Sequence, residues 1–274
     1  MGENPSGIEP SVAGHDTVHQ NFMKKLLSLC AALTISVTAV YFCAGCCSTV
    51  SVQHSGNMAT PRNDMERYAQ SLVLVEDLNG DPLGSGIVVI REQRIFAWTA
   101  AHVVDGENLV SVTSDDKKFK ATVIFRDRYY DVALLRIDGA PEHFYGAHFA
   151  NNRPPSRGSK IYHAGNIQGK AFANSITVGV VAGYNAGVGT PSFPWHVVDY
   201  GTAAVYKGSS GGPIFSSGSN KVIGMAVGLG FNVSIYVPVR VLRSLVPWAV
   251  DGTFCPSEHT LTAMELTAHT HRWD

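Results

Sequence analysis

The sequence predicts an all-β protein: two six-stranded antiparallel β-barrels, a short C-terminal helix, and an apolar N-terminal segment. Three observations carry this. After Arg67 the chain breaks into twelve short runs rich in Val, Ile, Phe and Tyr. Glycine, at 27 of 274 residues, is frequent enough to favour turns and short strands over long helices. A Pro- and Arg-bearing stretch, Asn151–Gly158, divides the runs six and six.

Taken in order from the N-terminus, residues 1–22 read as an upstream extension. Leu26 to Cys47 is a stretch of 22 residues without a charge, preceded by Lys24-Lys25. At ~1.5 Å per residue it is long enough to cross a bilayer, and the two lysines would keep its leading end in the cytoplasm. A basic, then apolar, then small-residue layout is also that of an export signal. Met23-Lys24-Lys25-Leu26-Leu27 resembles the start of a bacterial signal peptide. Cys43-Ala44-Gly45-Cys46 resembles a lipobox, with Cys43 where Leu is usual. Residues 23–47 therefore read first as a lipid anchor through Cys46, then as an uncleaved single-pass anchor or a cleaved signal. A buried core helix is the least favoured reading, because nothing nearby would cover it. Residues 48–66 are polar and aperiodic and read as a tether to a domain on the extracytoplasmic side; secretion is the alternative.

The domain is expected over 67–250, with barrels at about 67–150 and 159–250. The first six runs are Ser71–Glu76, Gly86–Ile90, Ile95–Thr99, Leu109–Thr113, Lys120–Arg126 and Val132–Ile137. The second six are Lys160–Ala164, Ser175–Gly183, Trp195–Tyr200, Gly212–Ser216, Val222–Leu229 and Val233–Val237. Turn signals such as Asn79-Gly80-Asp81-Pro82 and Ser217-Gly218-Ser219-Asn220 separate them. Closing each set into a barrel removes edges that would otherwise template aggregation. Val239–Val246, bounded by Pro238 and Pro247, has apolar residues at helical spacing and is expected to pack on the second barrel. Residues 251–274 form a polar tail, in which His269 and His271 lack a third ligand at metal-binding spacing.

Composition excludes several classes. Lys+Arg 21 against Asp+Glu 22 leaves no basic surplus for a phosphate backbone, so no nucleic-acid partner is expected. Four of the five cysteines fall between Cys30 and Cys47, so no disulfide framework spans the barrels. No cofactor and no metal is expected.

Three motifs carry chemistry. Thr99-Ala100-Ala101-His102 ends an apolar run with a histidine, and Asp131-Val132-Ala133-Leu134-Leu135 opens another with a carboxylate. Alone, the first is more often a satisfied core histidine and the second a cap or turn residue. Gly208-Ser209-Ser210-Gly211-Gly212-Pro213 is more pointed: a serine in a glycine-rich turn can bring a nucleophile and backbone N–H groups to one place. An alcohol needs a base within hydrogen-bond reach, and that base needs an orienting acid. His102, Asp131 and Ser210, separated by 29 and then 79 residues, supply all three on a twelve-strand pattern.

On these motifs the chain resembles the chymotrypsin-like (trypsin-fold) serine peptidases. Within them it resembles the disulfide-free bacterial HtrA-like branch, over about Arg67–Trp248. Ala164-Gly165-Asn166-Ile167-Gln168-Gly169, Ile176–Val181 and Tyr236-Val237-Pro238 add to the likeness. The resemblance implies Ser210 as nucleophile, His102 as general base and acid, and Asp131 as its orienter. The N–H groups of Gly208 and Ser210 would form an oxyanion hole, and Val227-Gly228-Leu229 would pair with an extended substrate. Ser209 stands where digestive members carry the Asp of their activation switch, so that switch is not expected. Ala204, six residues before Ser210, stands where trypsin-like members place a specificity carboxylate. A pocket bordered by Ala204 and Val227 would then favour a small or medium apolar residue before the cut.

With 274 residues, only 26 follow Trp248, so no PDZ domain is expected after the peptidase. The leading reading is a serine endopeptidase acting on a protein or peptide substrate and tethered to or exported across a membrane. A catalytically inactive module that binds extended peptides with the same cleft is the alternative, and an envelope structural lipoprotein comes third. The sequence sets no oligomeric state.

Overall fold

The computed structural model describes residues 64–139, 141–189, 194–230, 232–252 and 255–257. The apolar segment with Cys46, and His269 and His271, lie outside the described residues.

Two closed barrels form, as expected. The first contains β1 (Leu72–Glu76), β2 (Pro82–Arg91), β3 (Arg94–Thr99), β4 (Leu109–Ser114), β5 (Lys117–Asp127) and β6 (Val132–Ile137), in the order β1-β2-β3-β6-β5-β4. The second contains β7 (Lys160–Ile167), β8 (Phe172–Gly189), β9 (Pro194–Gly201), β10 (Pro213–Ser216), β11 (Val222–Gly230) and β12 (Val233–Pro238). Read from β7, its order is β7-β8-β9-β12-β11-β10. The second barrel thus repeats the connectivity of the first, and every neighbouring pair is antiparallel. Each of the twelve apolar runs becomes one of these strands.

Burial explains the runs. Ile87, Val88 and Val89 of β2, Phe96, Ala97 and Trp98 of β3, and Leu134 and Leu135 of β6 are all fully enclosed. Consecutive buried residues mean that both faces of these strands are covered, one by the barrel interior and one by other parts of the chain. Ile161, Val181, Ile214 and Tyr236 form a separate interior cluster in the second barrel.

Three features differ from the expectation. Strand β8 runs 18 residues to Gly189, beyond the expected Gly183, because register shifts at Val181/Gly183, Gly183/Ala186 and Ala186/Val188 absorb its irregular, glycine-bearing sequence while it stays paired with β9. A helix, α1 (Asp64–Gln70), begins inside the stretch read as tether. At seven residues it is too short to show a periodicity, and one side chain docks it. Tyr68 stacks on Phe215 at a centroid distance of 4.2 Å and donates its hydroxyl to Asn220 Oδ1 at 2.7 Å. The closing helix, α2 (Val239–Leu245), packs on β11 and β12 as expected, but a further turn, α3 (Trp248–Asp251), reaches back to the first barrel. There Trp248 meets Phe96 edge-on at 4.9 Å, and Arg91 donates to the carbonyls of Trp248 and Val250 at 3.2 and 2.9 Å. The C-terminal segment therefore straps the barrels together.

Candidate active site

Antiparallel pairing brings the histidine and the aspartate together. β3 ends at Thr99, opposite Ala133 near the start of β6, so residues just past one strand lie beside residues just before the other. After Ala100, a single 3-10 turn, Ala101–Val104, presents His102. Asp131, immediately before β6, takes φ 56, a left-handed backbone that Asp tolerates better than most residues. The result is a two-point clasp. His102 Nδ1 lies 2.7 Å from Asp131 Oδ2, and the His102 backbone N–H donates to Asp131 Oδ1 at 2.9 Å. The aspartate side chain is 2% exposed and the histidine 24%, so the ring keeps a face toward solvent while its partner has none. Arg126 on β5 fixes the end of the turn, donating to Val104 O at 2.6 Å and to Glu107 O.

The serine comes from the loop between β9 and β10, which local hydrogen bonds fold tightly. Ser209 N–H donates to Tyr206 O at 2.9 Å, Tyr206 N–H donates back to Ser209 Oγ at 3.2 Å, and Gly212 N–H donates to Ser209 O at 2.9 Å. Gly208 and Gly211 have φ of 90 and 89. At Gly211 a Cβ would stand 2.0 Å from Ser85 O, and at Gly208 one would stand 2.4 Å from Asn166 O. Both positions need glycine for conformation and for space. Ser209, which the resemblance places where digestive peptidases carry an activation carboxylate, is thus spent on the loop's own turn.

Ser210 is tied across the barrel interface. Its carbonyl accepts the Ser85 N–H of β2 at 2.8 Å, and Ser85 Oγ donates to Gly208 O at 2.7 Å while accepting Asn166 N–H at 2.9 Å. Thr99 Oγ1 donates to Ser85 O at 2.7 Å. Ser85, Thr99 and Asn166 are all buried. This polar node joins the end of the strand that leads to His102, the Ser210 loop and β7. The sequence reading gave none of the three a role. The signal available was a serine flanked by glycines inside a strand, Gly84-Ser85-Gly86, which marks a close backbone approach.

The peptide between Lys207 and Gly208 has a defined orientation. Lys207 O accepts the Gln168 N–H at 2.8 Å. In a trans peptide the carbonyl and N–H point in opposite directions, so the Gly208 N–H faces away from the Gln168 turn.

The expected pocket residues divide. Ala204 is half-buried and its carbonyl accepts Thr177 Oγ1 at 2.6 Å. Val227 does not border a pocket with its side chain, which belongs to the barrel core at 1% exposure. The register shift between Ala226 and Gly228 instead turns its backbone, and Ser210 Oγ lies 3.5 Å from Val227 O. Gly228 is half-buried and Leu229 exposed. Among the described residues, β10 pairs with β11 only between Val222 and Met225, and Ala226 continues with Gly211 and Gly212. A buried residue that the sequence reading missed sits beneath the loop. His163 on β7 is fully enclosed, with Thr177 Oγ1 3.5 Å from Nδ1. Burial lowers its pKa from 6.5 to about 4, against the opposing pull of the Ser209 and Ala204 carbonyls.

The trypsin-like peptidase domain family matches residues 84–225, just over half of the chain and the span from β2 into β11. The chain belongs to that family. Relatives of the chain include a probable periplasmic serine endoprotease DegP-like from Pseudomonas savastanoi pv. phaseolicola, 31% identical over 196 residues. That match covers 67% of this chain and 36% of the relative. The serine protease Do-like HtrB of Bacillus subtilis is 29% identical over 197 residues, covering 65% of this chain and 43% of the relative. Among solved structures, the HtrA-type protease AlgW with a decapeptide superposes with a TM-score of 0.58 at 15% identity, covering 70% of this chain and 68% of that one. That likeness is one of fold. The chain spans only about two fifths of the length of these two curated relatives.

Proposed function

We propose that this trypsin-like peptidase is a serine endopeptidase in which Ser210, His102 and Asp131 form the catalytic triad. The observation that carries the reading is the clasp between Asp131 and His102. With Asp131 Oδ2 2.7 Å from Nδ1, the proton of a neutral imidazole is held on Nδ1. Nε2 is then left with the lone pair a general base needs.

In this mechanism His102 Nε2 takes the Ser210 proton as Oγ attacks the scissile carbonyl carbon. The carbonyl oxygen becomes an oxyanion facing the N–H groups of Gly208 and Ser210. Where such donors have been removed elsewhere, each was worth ~3–4 kcal/mol. The imidazolium, stabilised by Asp131, protonates the leaving amine. A water, deprotonated by the same histidine, then releases the acyl group from Ser210. The orientation of the Lys207 carbonyl supports this reading, since a carbonyl turned the other way would repel the oxyanion. An extended substrate would lie against Val227-Gly228-Leu229, its backbone N–H groups meeting acceptors such as Val227 O. Ala204 offers no charge, which favours a small or medium apolar residue before the cut. The decapeptide carried by the AlgW structure, a neighbour in fold, is in keeping with a peptide ligand.

The same proposal puts the domain outside the cytoplasm, exported or tethered through residues 23–47, with Cys46 as the lipidation site. Its support is the uncharged stretch behind two lysines, together with the periplasmic naming of relatives. No described helix is long and apolar enough to cross a membrane. Metabolic labelling with a fatty acid that disappears in Cys46→Ser would support lipidation; label retained in that variant would refute it.

The deciding experiment treats the full-length chain and its Ser210→Ala variant with a fluorophosphonate, followed by intact-mass analysis. One adduct, absent from the variant, is expected, along with a loss of peptide hydrolysis on the order of a million-fold. Hydrolysis surviving in Ser210→Ala would overturn the mechanism. A folded chain that takes no adduct would favour the peptide-binding alternative.

A further inference from the structure

The turn that receives the Lys207 carbonyl is itself gripped by the first barrel. Gln168 and Gly169 have φ of 52 and 69, so the backbone here is left-handed at two successive residues, one of them not glycine. Asn166 closes the base of the turn. Its Oδ1 accepts Asn174 N–H at 3.1 Å, and its Nδ2 donates to Val73 O of β1 at 2.9 Å. Gly169 rests on Pro82, where an added Cβ would come within 2.5 Å of the ring. The next residue, Lys170, places Nζ 2.8 Å from Oε1 of Glu76, the last residue of β1.

Glu76 has a wholly buried side chain, and its second oxygen accepts Thr113 Oγ1 at 2.5 Å and lies 3.2 Å from Lys118 Nζ. Burial alone would push this carboxyl up. The ammonium groups of Lys170 and Lys118 and the hydroxyl of Thr113 outweigh it and hold the group below its ordinary value, as an anion. A buried carboxylate at the end of a barrel strand is unusual. Of its two lysine partners, one stays within the first barrel and the other belongs to the turn that orients the Lys207–Gly208 peptide.

We propose that Glu76 is a positioning residue for that peptide, its ion pair with Lys170 fixing the left-handed turn whose Gln168 N–H holds the Lys207 carbonyl. Its catalytic consequence rests on the serine-peptidase reading. With the tether cut, the turn relaxes toward commoner backbone angles, the Lys207 carbonyl loses its donor, and the peptide is free to swing that oxygen to where the oxyanion would form. The first barrel then supplies support for the oxyanion site as well as a base and its orienter.

The two lysines provide an internal control. Lys170→Met and Lys118→Met each remove one cation from the same carboxylate, but only the first frees the turn. In the full-length chain, Lys170→Met is expected to speed amide hydrogen exchange across residues 204–210. It should also lower kcat for a peptide amide about tenfold, with KM within about twofold, the signature of an interaction that acts in the transition state. Lys118→Met should match the wild type in both readouts, and Lys170→Arg should restore them. Unchanged exchange across 204–210 in Lys170→Met would overturn the proposal, as would equal effects from the two lysine variants. Exchange that shifts in a chain whose wild type hydrolyses nothing would leave the positioning link standing and refute the peptidase reading instead.

Discussion

The two barrels share one connectivity but hold their parts of the site in different ways. In the first, His102 and Asp131 sit at adjacent ends of paired strands and fasten each other through two hydrogen bonds. In the second, Ser210 rides on a loop with two positive-φ glycines and is fixed largely by groups from elsewhere: Ser85 of the first barrel and Asn166 of β7. The His102–Asp131 pair, the proposed acid–base element, is therefore a property of one barrel, whereas the position of Ser210, the proposed nucleophile, is a property of how the barrels dock. Damage to the first should remove chemistry while sparing the fold. Damage to the docking node should cost both.

Short of removing the Ser210 hydroxyl itself, Asp131→Asn gives the largest expected effect. An amide cannot accept the Nδ1 proton as a carboxylate does, so the imidazole settles in the wrong tautomer. A loss of about ten-thousand-fold in kcat is expected, the scale seen for such a change in a related triad. The melting temperature should move by no more than a few degrees, because the amide still fills the same buried site. A variant that retains a tenth of wild-type turnover would break the assignment of Asp131.

Next comes acid sensitivity beneath the nucleophile loop. His163 has a pKa lowered from 6.5 to about 4 in the folded chain, chiefly by burial. Between those values the unfolded chain binds a proton that the folded one refuses, so stability falls as pH drops from about 6.5 toward 4 and is unaffected above that window. The full shift corresponds to about 3 kcal/mol. Urea midpoints across this range should show a shallower slope in His163→Gln than in the wild type. Parallel slopes would mean that the histidine is already protonated when folded.

Ser85→Ala tests the docking node directly. The hydroxyl donates to Gly208 O and accepts Asn166 N–H, both in a buried setting. Removing it leaves two polar groups unpaired, at a cost of about 2 kcal/mol. The comparison with Val89→Ala, an interior change in the first barrel of similar cost, is what matters. Ser85→Ala should slow turnover well beyond Val89→Ala at matched stability. Equal kcat in the two would place the nucleophile's support wholly within its own loop.

These contrasts also account for what could be read from the sequence. The twelve strands were legible because each is a compact apolar run between turn residues, and each run became a paired barrel strand. The three motifs were legible for a related reason: His102 and Asp131 border such runs, and Ser210 lies among glycines. Strand β8's extension was not, since Asn185-Ala186-Gly187-Val188 carries no run and persists only through bulged pairing with β9. Helix α1 was hidden because one aromatic, Tyr68, docks it. Ser85, Asn166, His163 and Glu76 were missed because their partners lie on other strands, turns and loops, as far as 123 residues away for Ser85 and Gly208. Polar residues inside a strand have no periodicity to announce them. Val227 was placed at the pocket by the resemblance alone; its side chain lies in the core, while the bulge brings its carbonyl within 3.5 Å of Ser210 Oγ.

The smallest expected effect separates support of His102 from mere nearness to it. Asp105 lies three residues after the histidine and pairs with Arg128, yet both are well exposed, with side chains 57% and 71% accessible. Exposed pairs of this kind contribute roughly 0–1 kcal/mol, since water screens the attraction and ordering two long side chains costs entropy. Arg128→Ala should therefore change stability by less than about 0.5 kcal/mol and leave kcat as it was. Arg126, two residues away on β5, is the counterpart. It reaches inward to the carbonyls of Val104 and Glu107 at the end of the histidine turn. Arg126→Met strips two carbonyls of a charged donor and should lower both stability and kcat. If Arg128→Ala slowed turnover as much as Arg126→Met, the turn would depend on its surface as well as its interior, and the first barrel's acid–base pair would be as open to outside influence as the loop it faces.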